Sequence, residues 1–294
     1  MPGSLDADVP PLSFAEVRGR RIGYRELGDP RSRALPVVAV HGLGSSSLCW
    51  ARNFAALGRR GRAIVVDLPG YGASQKDPGV TSLREKGEIV GRLLDQLGVK
   101  RAIWVGHSMG GQIAIWRALS APEQVAALTL VAPAGLERFS IYAKSMLQNA
   151  VTRDWVLSTQ SEPAVRRNLA MAFHEMPAEA ELLVRARLAF TGDELEGYAA
   201  AVVNGVRAML DEPVELSDVR VPTSIAFGLR DRLIPNPLLH PHLSPRKLAE
   251  SATRKIPGAR LVLAPDAGHL LQFEAPDVFA EALDACFASV SEAA

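Results

Sequence analysis

The sequence predicts an α/β protein: a mostly parallel sheet with helices on both faces, plus a helical insertion past the middle strands. Three observations lead there. Short apolar runs rich in Val and Ile alternate with longer segments of helical period, the pattern of parallel strands joined by right-handed crossovers. One interval, from about 134 to 215, keeps the helical period with no strand in it. At 294 residues the chain suits one large domain or a core with an inserted unit.

Each element follows from its own residues. The first fourteen, "MPGSLDADVPPLSF", read as a loosely ordered arm, without the basic and apolar segments of a secretory signal. "RIGYREL" (21–27) alternates like a half-exposed strand near a sheet edge. "ALPVVAV" (34–40), "RAIVVD" (62–67), "AIWVG" (102–106), "ALTLVAP" (127–133), "TSIAFGL" (223–229) and "ARLVLAP" (259–265) are continuous apolar runs, as expected of strands buried on both faces. Between them, Leu83, Ile89, Val90, Leu93, Leu94 and Leu97 mark one face of a helix. Segments 112–120 and 276–290 read the same way, with Cys286 as a small core residue of the second.

In the strandless interval, Val165, Leu169, Ala172 and Met176 share a helical face. Leu182, Ala186, Ala189 and Phe190 share another, and Tyr198, Val202, Val206, Met209 and Leu210 a third. The expected division is a core of 1–133 and 216–294, with 134–215 as a helical cap over the carboxyl edge of the sheet. Active groups of such sheets gather at that edge.

Composition narrows the function. Hydrophobic residues make up 48% and charged residues 22%, ordinary for a globular protein. A formal net charge of +1 gives no general pull toward nucleic acid or anionic lipid. Two cysteines, Cys49 and Cys286, are too few for a disulfide framework. No run of 18 apolar residues suggests a membrane span. A cytoplasmic enzyme or binding protein, monomer or homodimer, is the expectation.

The chemistry-bearing segment is "VGHSMGG" (105–111), in which Gly106-His107-Ser108-Met109-Gly110 fits the G-x-S-x-G pattern between a strand and a helix. The tight turn leaves no room for side chains at the flanking glycines and holds the Ser108 hydroxyl above the sheet. A serine needs a base. His269, in "APDAGHLLQFEAP", follows the last strand and falls at the same edge. Its imidazole needs a carboxylate to fix the tautomer, which Asp231 in "FGLRDRLIP" supplies. The oxyanion needs preorganised donors. The backbone amides of Met109, after the nucleophile, and Leu43, in "HGLGSSS" after a strand, are expected to provide them.

Further residues have expected places. Trp50 and Ser45 are expected to bind substrate and Met109 to line the pocket, all being close to the chemistry. His107 packs beside the elbow, His41 orders the oxyanion loop, and Asp67 pins a turn. His240 and His242 are expected at the surface, with no third ligand that would make a metal site. Glu137 is a reserve acid, and His174, Arg185, Arg187, Asn204 and Arg207 are within the cap's possible reach of substrate.

On "HGLGSS", "DLPGYGAS", "GHSMGG", "GLRDRLIP" and "GHLLQFEAP", in order from about residue 20 to 290, the chain resembles the α/β-hydrolase superfamily. Within it, the chain is similar to the cap-bearing subgroup of esterases and carbon–carbon bond hydrolases. The resemblance implies a serine hydrolase of small or medium carboxylic esters, with no metal or organic cofactor. A carbon–carbon bond hydrolase of vinylogous 1,5-diketones ranks second, since Leu270 stands where that subgroup often has Trp after the histidine. Relatives that dehalogenate or open epoxides use aspartate where Ser108 stands. A slow-turnover small-molecule receptor on the same scaffold is the reading from another class.

Overall fold

The computed structural model describes residues 5–292. Eight strands form one sheet: β1 (Leu12–Val17), β2 (Arg20–Leu27), β3 (Val37–Val40), β4 (Ala63–Val66), β5 (Ala102–His107), β6 (Val125–Val131), β7 (Thr223–Gly228) and β8 (Arg260–Ala264). Their order is β1-β2-β4-β3-β5-β6-β7-β8. β1 pairs antiparallel with β2, and β2 with β4; every other pair is parallel. The α/β architecture expected from the alternating pattern is therefore present.

Helix α1 (Phe54–Gly58) precedes β4, α2 (Leu83–Gln96) leads to β5, and α3 (Met109–Ser120) leaves it. Between β6 and β7 lie α4 (Ile141–Ala150), α5 (Arg153–Ser158), α6 (Glu162–Met171), α7 (Glu181–Leu188) and α8 (Gly192–Asp211). The chain closes with α9 (Pro245–Lys255), α10 (Leu271–Glu274) and α11 (Pro276–Glu292).

Two apolar layers sandwich the sheet because successive strand residues point to opposite faces. Val38, Val40, Ile64, Val66 and Trp104 pack with α2, α3 and α9 in one layer. Val37, Ala39, Ala63, Val65 and Ile103 pack with α11 in the other. Each fully buried Val, Ile or Leu contributes about 1.5–3 kcal/mol relative to exposure.

The N-terminal arm departs from expectation. Its residues 1–4 lie outside the described part, but Leu5–Asp8 form a 3₁₀ turn and Leu12–Phe14 open β1. Phe14 is 47% exposed under the Arg21 guanidinium, so this edge strand carries no apolar run to announce it. Ala172 and Met176 also fall past the end of α6, and Ala189 and Phe190 past the end of α7, rather than within them. No helix among the described residues is long and apolar enough to cross a membrane.

Candidate active site

The carboxyl ends of β3, β5, β7 and β8 bring four loops together. At the end of β5, Ser108 has φ 52° and ψ −119°, a left-handed conformation rare for a residue with a side chain. Strain of this kind costs about 1–3 kcal/mol and persists only where the surroundings fix it. Here Ser108 N donates to Val131 O (3.0 Å), and Ser108 O accepts from Gly111 N and Ala134 N. The glycines make the turn possible: a Cβ on Gly106 would strike the Gly110 carbonyl, and one on Gly110 the Val40 carbonyl. A Cβ on Gly111 would lie 2.6 Å from Pro133 Cβ.

His269 and Asp231 meet as their positions after β8 and β7 suggest. His269 Nδ1 and Asp231 Oδ2 are 2.8 Å apart, with both side chains almost fully buried. Asp231 Oδ1 accepts from Leu233 N (2.8 Å) and Ile234 N (3.0 Å), which anchors the carboxylate. With Nδ1–H donated to Asp231, Nε2 is the nitrogen left with a free lone pair. Ser108 and His269 line one cavity, and the Ser108 hydroxyl makes no hydrogen bond to His269.

Two further histidines brace the site. Burial, with His269 nearby, holds His107 well below its ordinary range. As a neutral ring it donates from Nε2 to the His269 carbonyl at 3.0 Å, and so supports the backbone of the loop. Burial also lowers His41, against the opposing influence of Asp67. Its Nδ1 donates to Gly42 O (2.7 Å) and its Nε2 accepts from Leu68 N (3.0 Å), tying the "HGLG" loop to the loop after β4. Asp67 accepts from Ser47 N (2.5 Å) and Ala73 N (2.9 Å) and pins both loops. Among the described residues, nothing outside α3 accepts a hydrogen bond from the backbone amide of either Leu43 or Met109.

The cavity measures about 740 Å³. Leu43, Ser45 and Ser46 border it, and the Ser46 hydroxyl also caps the following 3₁₀ turn through Leu48 N. Trp50 does not reach it: the ring is fully buried, 5.4 Å from Phe279 and 6.5 Å from His107. It follows the "HGLG" loop, but the 3₁₀ turn of 47–53 rotates it into the core. Met109 is likewise fully buried, and its side chain lies under α8 rather than on the cavity wall. The opposite wall comes from α4–α8, with Leu147, Val151, Val156, Phe190, Val202 and Val206 making it mainly apolar.

Two charged residues of that cavity were weakly signalled by sequence. Arg187 was one of five polar candidates with nothing to single it out. It stacks 3.7 Å from the Tyr198 ring centre, with a buried Nη1 that has no hydrogen-bond partner. Burial pulls it down to about 9. Glu137, the reserve acid, also faces the cavity. His240 is not at the surface: 19% of its side chain is exposed, and Nε2 lies 3.4 Å from Glu137 Oε1. His242 is exposed.

Residues 37–282 match the alpha/beta hydrolase family. The dihydrolipoyllysine-residue acetyltransferase component of the acetoin cleaving system of Pseudomonas putida is 31% identical over 281 residues, covering 94% of this chain and 69% of its own length. Pimeloyl-(acyl-carrier protein) methyl ester esterase of Pectobacterium carotovorum is 31% identical over 83% of this chain and 91% of its own. The crystal structure of a probable hydrolytic enzyme from Pseudomonas aeruginosa superposes with a TM-score of 0.80 at 27% identity, covering 94% and 93% of the two chains. With strand order, strained serine turn and family match in agreement, this chain belongs to the alpha/beta hydrolase family and is a hydrolase.

Proposed function

We propose that the protein is a serine hydrolase of carboxylic esters, with Ser108 as nucleophile, His269 as general base and Asp231 as the orienting acid. The observation that carries the reading is the strained Ser108 turn on the same cavity as an imidazole whose Nδ1 is committed to a buried carboxylate. His269 Nε2 takes the Oγ proton as Oγ bonds to the ester carbonyl carbon. The Leu43 and Met109 amides stabilise the oxyanion, and the C–O bond to the alcohol breaks as His269 returns the proton to it. Water, deprotonated by His269, then releases the acid from Ser108. Residues 134–215 act as a cap that excludes bulk water and shapes the pocket; their share of the cavity wall supports this. The esterase among the relatives is in keeping with the reaction.

Arg187 narrows the substrate. Arg187 stacks on Tyr198, but its buried Nη1 has no hydrogen-bond partner and no carboxylate among the described residues pairs with it, which is costly unless a ligand supplies the anion; the substrate therefore carries an acid group. The same observation favours a second reading, hydrolysis of a carbon–carbon bond in an acid-bearing vinylogous 1,5-diketone.

Hydrolysis of p-nitrophenyl esters from acetate to laurate tests the first reading. Turnover near the enzyme median of ~10 s⁻¹ is expected, with nearly all of it lost in Ser108→Ala. Turnover that persists in that variant means another nucleophile. No turnover with esters but cleavage of the diketone would move the assignment to the second reading, and slow turnover of both would favour a receptor.

A further inference from the structure

Two carboxylates line the 740 Å³ cavity, and they differ in what holds them. Both Asp67 oxygens accept backbone N–H groups, and the residue is saturated in its structural role. Glu137 spends only one. Its Oε1 accepts from Asn236 N at 2.8 Å, while no described residue donates to Oε2. Only 7% of the side chain is exposed. His240 stands 3.4 Å from the oxygen already in use, and its buried Nε2 forms no hydrogen bond.

The position of Glu137 explains why no Lys or Arg among the described residues reaches it. It stands in a wall, with Gly135, Phe139, Met209 and Leu210, between the main cavity and a smaller one of about 330 Å³. The nearest basic residues of that smaller cavity are engaged: Arg138 with Glu215 (3.5 Å) and Val214 O (3.1 Å), and Lys144 with Asp211 (3.8 Å). No Lys or Arg among the described residues pairs with Glu137. The groups that act on it electrostatically are Asp231, which opposes its ionisation, and His269, which favours it. Burial is the larger influence and pushes it up to about 7.

We propose that Glu137 is a specificity-determining residue whose free Oε2 receives a protonated amine of the substrate. The idea rests on the reading of this cavity as the substrate site. An ionised carboxylate near Asp231 in an apolar wall is best matched by a cation, and a charge-assisted hydrogen bond is about twice as strong as a neutral one. Arg187 and Glu137 both line this cavity, and no ion pair joins them. The substrate class that satisfies both residues carries an acid group and an amine.

Calorimetric binding of hexylammonium and of 1-hexanol tests this without any turnover. The wild type and Glu137→Gln are each titrated at pH 6 and pH 8. In the wild type at pH 8 the amine is expected to bind about tenfold more tightly than the alcohol, and at pH 6 that ratio falls as Glu137 takes up its proton. His269 and His240 are present in both proteins, so their influence on the amine cancels in the comparison. In Glu137→Gln the tenfold preference at pH 8 should be gone, and hexanol binding there reports that the apolar cavity is still formed. A ratio of one or less in the wild type at pH 8 overturns the proposal, as does a preference that survives in the variant. Amine preference without ester turnover would sink the esterase reading and leave Glu137's role standing; turnover without preference would do the reverse.

Discussion

At Asp231 one carboxylate oxygen fixes the orientation of the side chain. Its Oδ1 is held by two backbone N–H groups, so the side chain cannot rotate without losing both. In Asp231→Asn the amide oxygen keeps those bonds and the NH₂ turns to His269 Nδ1. The ring must then accept at Nδ1 and carry its proton on Nε2, the wrong tautomer for a base. Turnover is expected to fall by up to ~10⁴-fold with the fold retained, as measured by steady-state kinetics and circular dichroism. A loss below tenfold would move the acid elsewhere. That Ser108, His269 and Asp231 gather at one edge was legible because each follows a strand there. Glu137 and Arg187 were legible only as candidates among others: what sets them apart is a free Glu137 Oε2 and an unpaired Arg187 Nη1, and a missing partner leaves no mark on sequence. Trp50 misled because closeness in sequence says nothing about which way a 3₁₀ turn rotates a ring.

At the level of elements, α8 fastens the proposed cap to the loops around Ser108. Tyr198 Oη donates to Gly44 O (3.0 Å), Tyr71 Oη donates to Ala201 O (2.7 Å), and Gln112 Nε2 donates to Met209 O and Glu212 O. The Glu212 carboxylate then accepts from Leu83 N and Arg84 N, favourable for an anion at the start of α2. Gly205 allows the close approach: a Cβ there would lie 2.5 Å from Leu43 Cδ1 and 2.7 Å from Tyr71 Oη. Gly205→Ala gains about 1 kcal/mol of helix propensity but overpacks this contact at a cost of about 1–3 kcal/mol. The expected result in urea denaturation is a small net destabilisation. Turnover should fall more than that suggests, because the displaced residue is Leu43; unchanged turnover would free the Leu43 loop from α8. The inner strands were readable as elements because burial on both faces writes an unbroken apolar run. β1 was not, since an edge strand with a half-exposed Phe14 carries only alternation broken by charge.

For the whole molecule, Glu137 couples stability to pH. Its ordinary carboxyl range lies near 4.5, and burial raises it to about 7 in the folded protein. Between those values the unfolded chain has released a proton that the folded chain still holds, so raising the pH favours unfolding; above both the penalty is constant. Glu137→Gln removes this contribution. Its stability relative to the wild type should therefore rise from pH 4.5 to 7.5 in urea denaturation, and a difference independent of pH would contradict the burial argument. Architecture at this scale followed from the order of apolar runs, whereas the cavity depends on how α4–α8 lie over the sheet, which periodicity alone does not specify.

The central claim is that Ser108 is activated by His269. Mass spectrometry of the intact chain after reaction with a fluorophosphonate tests it most directly. One adduct per chain, mapped to Ser108 and absent from both Ser108→Ala and His269→Ala, is the predicted result. An adduct on another residue, or labelling of Ser108 that proceeds undiminished in His269→Ala, would contradict the account.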